Sequence, residues 1–163
     1  KTEIPTAKWV EPKNMHLTLR FIGEVQDDEV EMIIATLSTI NAQSFSLTLR
    51  SVGCFPPNPR KAPRVLWVGL NHQPHLEQLQ SKIERQIRAL GYVADIKPFS
   101  PHFTLARLKA TKPLHEATVF LKNHQDFQLN PFTVESFALY SSVLSSNGSI
   151  YNVEASYPLQ IKE

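Results

Sequence analysis

The sequence predicts an α+β fold of two pseudo-symmetric lobes. Each lobe is an antiparallel sheet with helices on the outside, and a central cleft carries one motif from each lobe. Three observations carry this prediction. Segments with strand-like alternation outnumber helical ones, of which there are about three. A strand, a helix and two strands in the first half are followed by a second helix, another strand and more strands. Finally, two short strings repeat each other: Met15-His16-Leu17-Thr18-Leu19-Arg20-Phe21 and Pro101-His102-Phe103-Thr104-Leu105-Ala106-Arg107, 86 positions apart and one in each half.

The elements follow in order. Ala7 to Val10 is short and β-prone and is broken by Pro12-Lys13-Asn14. His16 to Ile22 alternates and reads as a strand ending at Gly23. Asp27-Asp28-Glu29 suits a helix N-terminus, and Val30, Ile33, Ile34 and Leu37 then recur at helical spacing. Phe45 to Val52 is a strand with Phe45, Leu47 and Leu49 on one face. Pro56, Pro57, Pro59 and Pro63 stiffen a basic loop holding Arg60, Lys61 and Arg64, and Val65 to Leu70 is a strand. Leu76, Leu79, Ile83, Ile87 and Leu90 form a core-facing helical stripe stopped by Gly91. Val93 to Ile96 reads as a short strand, and Pro98 and Pro101 stiffen the approach to the second string. Thr111-Lys112-Pro113 opens a third helix running through Ala117, Phe120 and Leu121. Phe132 to Leu144 and Ser149 to Leu159 are strands joined by a Ser145-Ser146-Asn147-Gly148 turn.

The two strings carry the chemistry. Alternate side chains of a strand face opposite ways, so His16 and Thr18 share a face, as do His102 and Thr104. With six His and ten Thr in 163 residues, random placement gives roughly 0.4 His-x-Thr strings. Two, each with apolar residues at both intervening positions, exceed that. Two imidazoles and two hydroxyls on one cleft suit a phosphodiester.

Composition removes other classes. The net charge of +2 is too small for non-specific nucleic-acid binding, which needs many phosphate contacts, so a nucleic-acid partner would be recognised at one end or one nucleotide. Cys54 is the sole cysteine, which excludes a disulfide framework and fits a reducing compartment. No apolar run approaches membrane-spanning length and the opening residues lack a signal peptide's apolar stretch, so a cytoplasmic protein with no membrane partner is expected. His72 and His75 flank Pro74, a poor geometry for metal, and His115 and His124 read as solvated. No glycine-rich phosphate loop and no Gly-x-Ser-x-Gly elbow is present.

These residues resemble the two-histidine phosphoesterase superfamily, whose signature is a pair of His-x-Thr-x strings on facing strands. Trp9-Val10-x-Pro12-x-Asn14-x-His16-Leu17-Thr18-Leu19-x-Phe21-x-Gly23-Glu24 resembles its LigT-like branch, the RNA 2′,3′-cyclic phosphodiesterases once called 2′-5′ RNA ligases. Gly53-Cys54-Phe55-Pro56, Pro63-Arg64-Val65-Leu66-Trp67-Val68-Gly69 and the second string agree in character. The resemblance implies one bilobal domain over residues 1–163. The family usually opens with an apolar strand and helix ahead of the Trp-Val segment, and only eight residues precede Trp9 here, so a missing N-terminal piece is expected.

The resemblance further implies metal-independent hydrolysis, without a cofactor, of RNA or nucleotide 2′,3′-cyclic phosphates to 2′-phosphates. His16 and His102 would be the general acid and base, either filling either role, and Thr18 and Thr104 would donate hydrogen bonds to the phosphoryl oxygens. Arg107 would contact the phosphate, which requires a bulge or strand end to re-aim it because 102, 104 and 106 share parity. Arg20 has the right parity and is its rival. Phe21 would stack on a base, or else pack in the core. A monomer is expected. Ligation or hydrolysis of another cyclic nucleotide at the same site, and non-catalytic binding of RNA ends, are the alternatives.

Overall fold

The structure, a computed structural model, describes residues 3–58, 60–94, 97–145 and 148–161, with side chains at 144, 145 and 148 left aside. In chain order the elements are β1 (Lys8–Trp9), a 3-10 turn (Pro12–Asn14), α1 (Asp27–Ser38), β2 (Phe45–Leu47), β3 (Leu49–Phe55), β4 (Val65–Leu70), α2 (Pro74–Ala89), β5 (Phe103–Arg107), α3 (His115–Asn123), β6 (Phe132–Val134), β7 (Ser136–Ser145) and β8 (Gly148–Pro158). The expected α+β class and its three helices are present. Among the described residues no helix is long and apolar enough to cross a membrane.

The chain forms two compact units, each assembled from three stretches. Unit 1 takes Lys1–Thr18, Leu47–His72 and Ser100–Pro131; unit 2 takes Leu19–Ser46, Gln73–Phe99 and Phe132–Glu163.

Unit 1 is a four-stranded antiparallel sheet in the order β1-β5-β4-β3. One face is the core. Leu66 of β4 and Ala106 of β5 are register partners, both inaccessible to solvent, and they pack with Ile4, Leu108 and the α3 residues Ala117 and Phe120. Trp9 packs on the same cluster with its ring edge-on to Phe120, centroids 5.7 Å apart. Cys54 lies against this core, where burial pushes its thiol up and its Sγ donates to the Pro56 carbonyl at 3.4 Å. The opposite face carries the residues described in the next subsection.

Unit 2 is built on helices α1 and α2. Ile33 and Leu37 of α1 and Leu76, Leu79, Ile83 and Ile87 of α2 are buried, so the helical spacings in the sequence are the buried stripes. Gln26 caps α1 from the preceding position, with its backbone N–H donating to Glu29 Oε2 at 3.0 Å. Gly91 follows α2 at φ 96°, a left-handed conformation that a side chain would strain. The β7–β8 hairpin stacks Phe137 on its cross-strand partner Tyr157, centroids 4.8 Å apart, and Tyr157 Oη donates to the Ile34 carbonyl of α1 at 3.2 Å.

Several expectations change. His16 to Ile22 is not a continuous strand: only Leu17 pairs, as an isolated bridge, because the chain passes to unit 2 at Leu19 and loses its neighbour. Phe45 to Val52 and Phe132 to Leu144 each divide in two. β2 pairs with β6, whereas β3 pairs with β4 and β7 with β8, so each long run serves two sheets and breaks between them. Ser51, at φ 61°, sits at the register shift inside β3. Val93 and Ala94 are not in a strand, residues 95 and 96 lie outside the described residues, and so do 146 and 147 of the expected turn. The third helix begins at His115, later than Thr111. His124 is half-buried rather than solvated, with Nε2 3.1 Å from Glu3 Oε1 and its ring against Phe120.

Leu66→Ala removes the centre of the unit 1 core and should destabilise the protein by about 2–5 kcal/mol, read from denaturant unfolding. Cys54, held as a thiol on the core face, should react with iodoacetamide at pH 8 more slowly than free cysteine, and its rate should rise on unfolding.

Candidate active site

The two His-x-Thr strings meet inside unit 1. Leu17 forms an antiparallel bridge with Phe103. That register sets His16 level with Thr104 and Thr18 level with His102, and the pleat turns all four side chains to one face. The expectation of one motif from each lobe is therefore corrected. Both strings belong to the same unit, because each is the other's strand partner.

Both imidazoles are held the same way. His16 Nδ1–H donates to the Asn14 carbonyl and His102 Nδ1–H to the Ser100 carbonyl, each at 2.7 Å and each two residues upstream. A carbonyl oxygen only accepts, so the proton must sit on Nδ1, and Nε2 becomes the nitrogen that exchanges a proton with a ligand. Local sequence explains the hold. Asn14 closes the 3-10 turn begun at Pro12, with Met15 N–H donating to the Pro12 carbonyl at 3.1 Å. Pro101 stiffens the backbone before His102.

The register supplies the bulge that Arg107 requires. Leu66 pairs with Ala106 but Trp67 pairs with Thr104, leaving Leu105 as an extra residue on β5. Leu105 and Ala106 both pack on the core cluster. Strand parity is thus reset, and Arg107 turns to the same face as His102 and Thr104, where it is exposed.

Arg20, its rival, is engaged within unit 2. Its Nε forms an ion pair with Glu84 Oε2 at 2.6 Å, Nη1 donates to the Phe21 carbonyl at 2.5 Å and Nη2 to the Val93 carbonyl. With only 5% of its side chain accessible, Arg20 is a structural cation. Phe21 is 69% exposed, which removes core packing as its role. Phe21 belongs to unit 2, whereas His16, Thr18, His102, Thr104 and Arg107 all belong to unit 1.

Phe55 and Trp67, neither of them a candidate on sequence grounds, pack beside His102. The Phe55 ring meets His102 edge-on with centroids 5.0 Å apart, and the Trp67 ring lies 6.3 Å from His102 and 5.4 Å from Phe55. Gly53 is the cross-strand partner of Trp67, and a Cβ there would lie 2.1 Å from the indole. The indole therefore rests on bare backbone, a close approach that only glycine permits. A glycine two residues from Phe55 on an alternating strand, together with a Trp on the next strand, was the available signal. The pairing register that links them was not.

The LigT like Phosphoesterase family model matches the chain twice, over residues 2–67 and 68–151. A relative from Aeropyrum pernix, curated as an RNA 2′,3′-cyclic phosphodiesterase, is 36% identical over 88% of this chain and 81% of its own length. Among solved structures, TT0787 of Thermus thermophilus superposes with a TM-score of 0.79 at 26% identity, covering 99% of this chain and 87% of that one. Escherichia coli LigT complexed with 3′-AMP superposes with a TM-score of 0.75 at 26% identity, covering 94% and 82%.

Gly53→Ala should push the Trp67 indole from its seat and lower thermal stability by about 1–3 kcal/mol. In a Trp67→Leu background the same substitution should cost less, and this non-additivity in a double-mutant cycle is the check.

Proposed function

The chain belongs to the LigT like phosphoesterase family, and from that membership and the two-histidine face we propose that it hydrolyses RNA 2′,3′-cyclic phosphate ends to 2′-phosphate ends. The observation that carries this reading is the diagonal register of the strings. With His16 level with Thr104 and Thr18 level with His102, the histidines occupy one diagonal of a four-residue patch and the threonines the other. Diagonal neighbours across an antiparallel pair are about 7–8 Å apart, within reach of long side chains, so a phosphoryl group can lie between two imidazole Nε2 atoms.

In-line displacement at phosphorus needs a base and an acid on opposite sides, which a diagonal pair provides. One histidine, neutral at Nε2, accepts a proton from water as the water oxygen bonds to phosphorus. The other, protonated at Nε2, gives its proton to the ribose 3′ oxygen as the P–O3′ bond breaks. The product keeps its phosphate on the 2′ oxygen, and the two histidines end with exchanged protonation states that solvent restores. Thr18 and Thr104 donate to the non-bridging oxygens, and the exposed Arg107 guanidinium balances charge that builds there. No step calls on a metal. Phe21, accessible and apolar, offers a stacking surface for a base. The 3′-AMP complex of Escherichia coli LigT supports a phosphorylated ribonucleotide as the ligand class.

Purified protein should open a 2′,3′-cyclic phosphate RNA end in EDTA, leave a 2′-phosphate, and show a bell-shaped dependence of rate on pH. His16→Ala and His102→Ala should each lower kcat at least about 100-fold. Thr18→Val or Thr104→Val should cost about 10-fold or more. Full activity in both histidine variants, measured by product analysis of the RNA end, would overturn the reading.

A further inference from the structure

Lys8 of β1, which the chemistry above does not use, is the direct cross-strand partner of Arg107. Its neighbour Trp9 packs into the core, so strand alternation turns Lys8 to the opposite face, which also holds His16, His102 and Arg107. Lys8 is exposed there. Two cations placed directly opposite on an antiparallel pair repel each other and together attract an anion.

The positive charge continues beyond this pair. The cross-strand row runs Lys8, Arg107, Val65, Phe55. The proline-rich loop leaves the sheet from Phe55 and returns at Val65. It is tied down at this end by Arg64 N–H donating to the Phe55 carbonyl and Leu108 N–H to the Arg64 carbonyl, each at 2.8 Å. Arg60 and Lys61 on that loop are exposed, whereas Arg64, level with the core residue Leu108, belongs to the other face. One end of the unit 1 sheet therefore gathers Lys8, Arg107 and the loop cations. Along β5 it is displaced from the level of His16 and Thr104 by about 7 Å, two pleat steps past the bulge.

We propose that Lys8 and the loop cations Arg60 and Lys61 form a subsite for the RNA phosphodiester backbone upstream of the cyclic end. This rests on the hydrolysis reading and deepens it: the substrate is an oligonucleotide, not a free cyclic mononucleotide. A mononucleotide fills only the histidine patch. A strand whose terminal phosphate lies between His16 and His102 extends its next phosphates along the basic end of the sheet. The cations are few and confined to one end, so they hold a strand by its terminus without the long contact surface of non-specific binding.

The test compares a short RNA ending in a 2′,3′-cyclic phosphate with a 2′,3′-cyclic mononucleotide, at several salt concentrations. For the wild-type protein, log(kcat/KM) should fall more steeply with log salt for the oligonucleotide than for the mononucleotide. Lys8→Met and Lys61→Met should each lower the oligonucleotide-to-mononucleotide ratio of kcat/KM roughly three- to tenfold and flatten the oligonucleotide salt slope by about 0.7. Lys8→Arg should restore both, and thermal unfolding checks that each variant is folded. An unchanged ratio and slope in both Met variants overturns the subsite and leaves the hydrolysis reading standing. Wild-type protein that opens neither substrate overturns the hydrolysis reading and the subsite with it.

Discussion

The site depends on one backbone pairing, Leu17 with Phe103. Each residue is the middle of a His-x-Thr string, so a single antiparallel bridge sets the position of four polar side chains at once. A slip of one residue would turn a histidine and a threonine to the core face, where neither would find partners. The pairing is short, and its neighbours hold it. β1 runs beside β5 from Lys8 to Trp9, the Val10 N–H donates to the Leu105 carbonyl at 2.8 Å, and the 3-10 turn carries the chain out and back to Leu17. The same turn supplies the Asn14 carbonyl that orients His16.

The extra residue at Leu105 reconciles two demands on β5. Its first part must present His102 and Thr104 outward, and its second part must send Ala106 into the core against Leu66 while keeping Arg107 on the outer face. Strict alternation cannot do both, and one bulged residue that itself packs on the core can. A similar economy operates across the sheet. Trp67 stands on the outer face beside His102, and its bulk is accommodated because Gly53 opposite has no side chain. The core face and the chemical face of unit 1 thus share the same strands with little interference.

Sequence halves and structural units do not coincide. The family model matches two consecutive segments, each with one His-x-Thr string, and this repetition is what made one motif per lobe the natural expectation. The compact units are instead interleaved along the chain, and both strings fall in unit 1. Arg20 and Phe21, two and three residues past Thr18, fall in unit 2, where Arg20 is held by Glu84 and the Val93 carbonyl. A chain that leaves one unit in the middle of an alternating segment reads in sequence as a longer strand than it forms.

Local pattern alone determined most elements and the candidate chemistry. Helical spacing of Ile33 and Leu37, and of Leu76, Leu79, Ile83 and Ile87, marked the buried faces of α1 and α2, because helix periodicity is a property of adjacent turns. The short apolar run from Val65 to Leu70 marked β4 at its observed limits. The His-x-Thr strings identified their own polar faces, and parity showed that Arg107 needed a bulge. Tertiary structure decided what depends on partners distant in sequence: the register that sets His16 level with Thr104, the location of the bulge, the engagement of Arg20 by Glu84, the seating of Trp67 on Gly53, and the pairing of Lys8 with Arg107. Each is a relation between strands or helices separated by loops. Register is set by which faces can be buried together, and that choice is made only when the whole sheet is assembled.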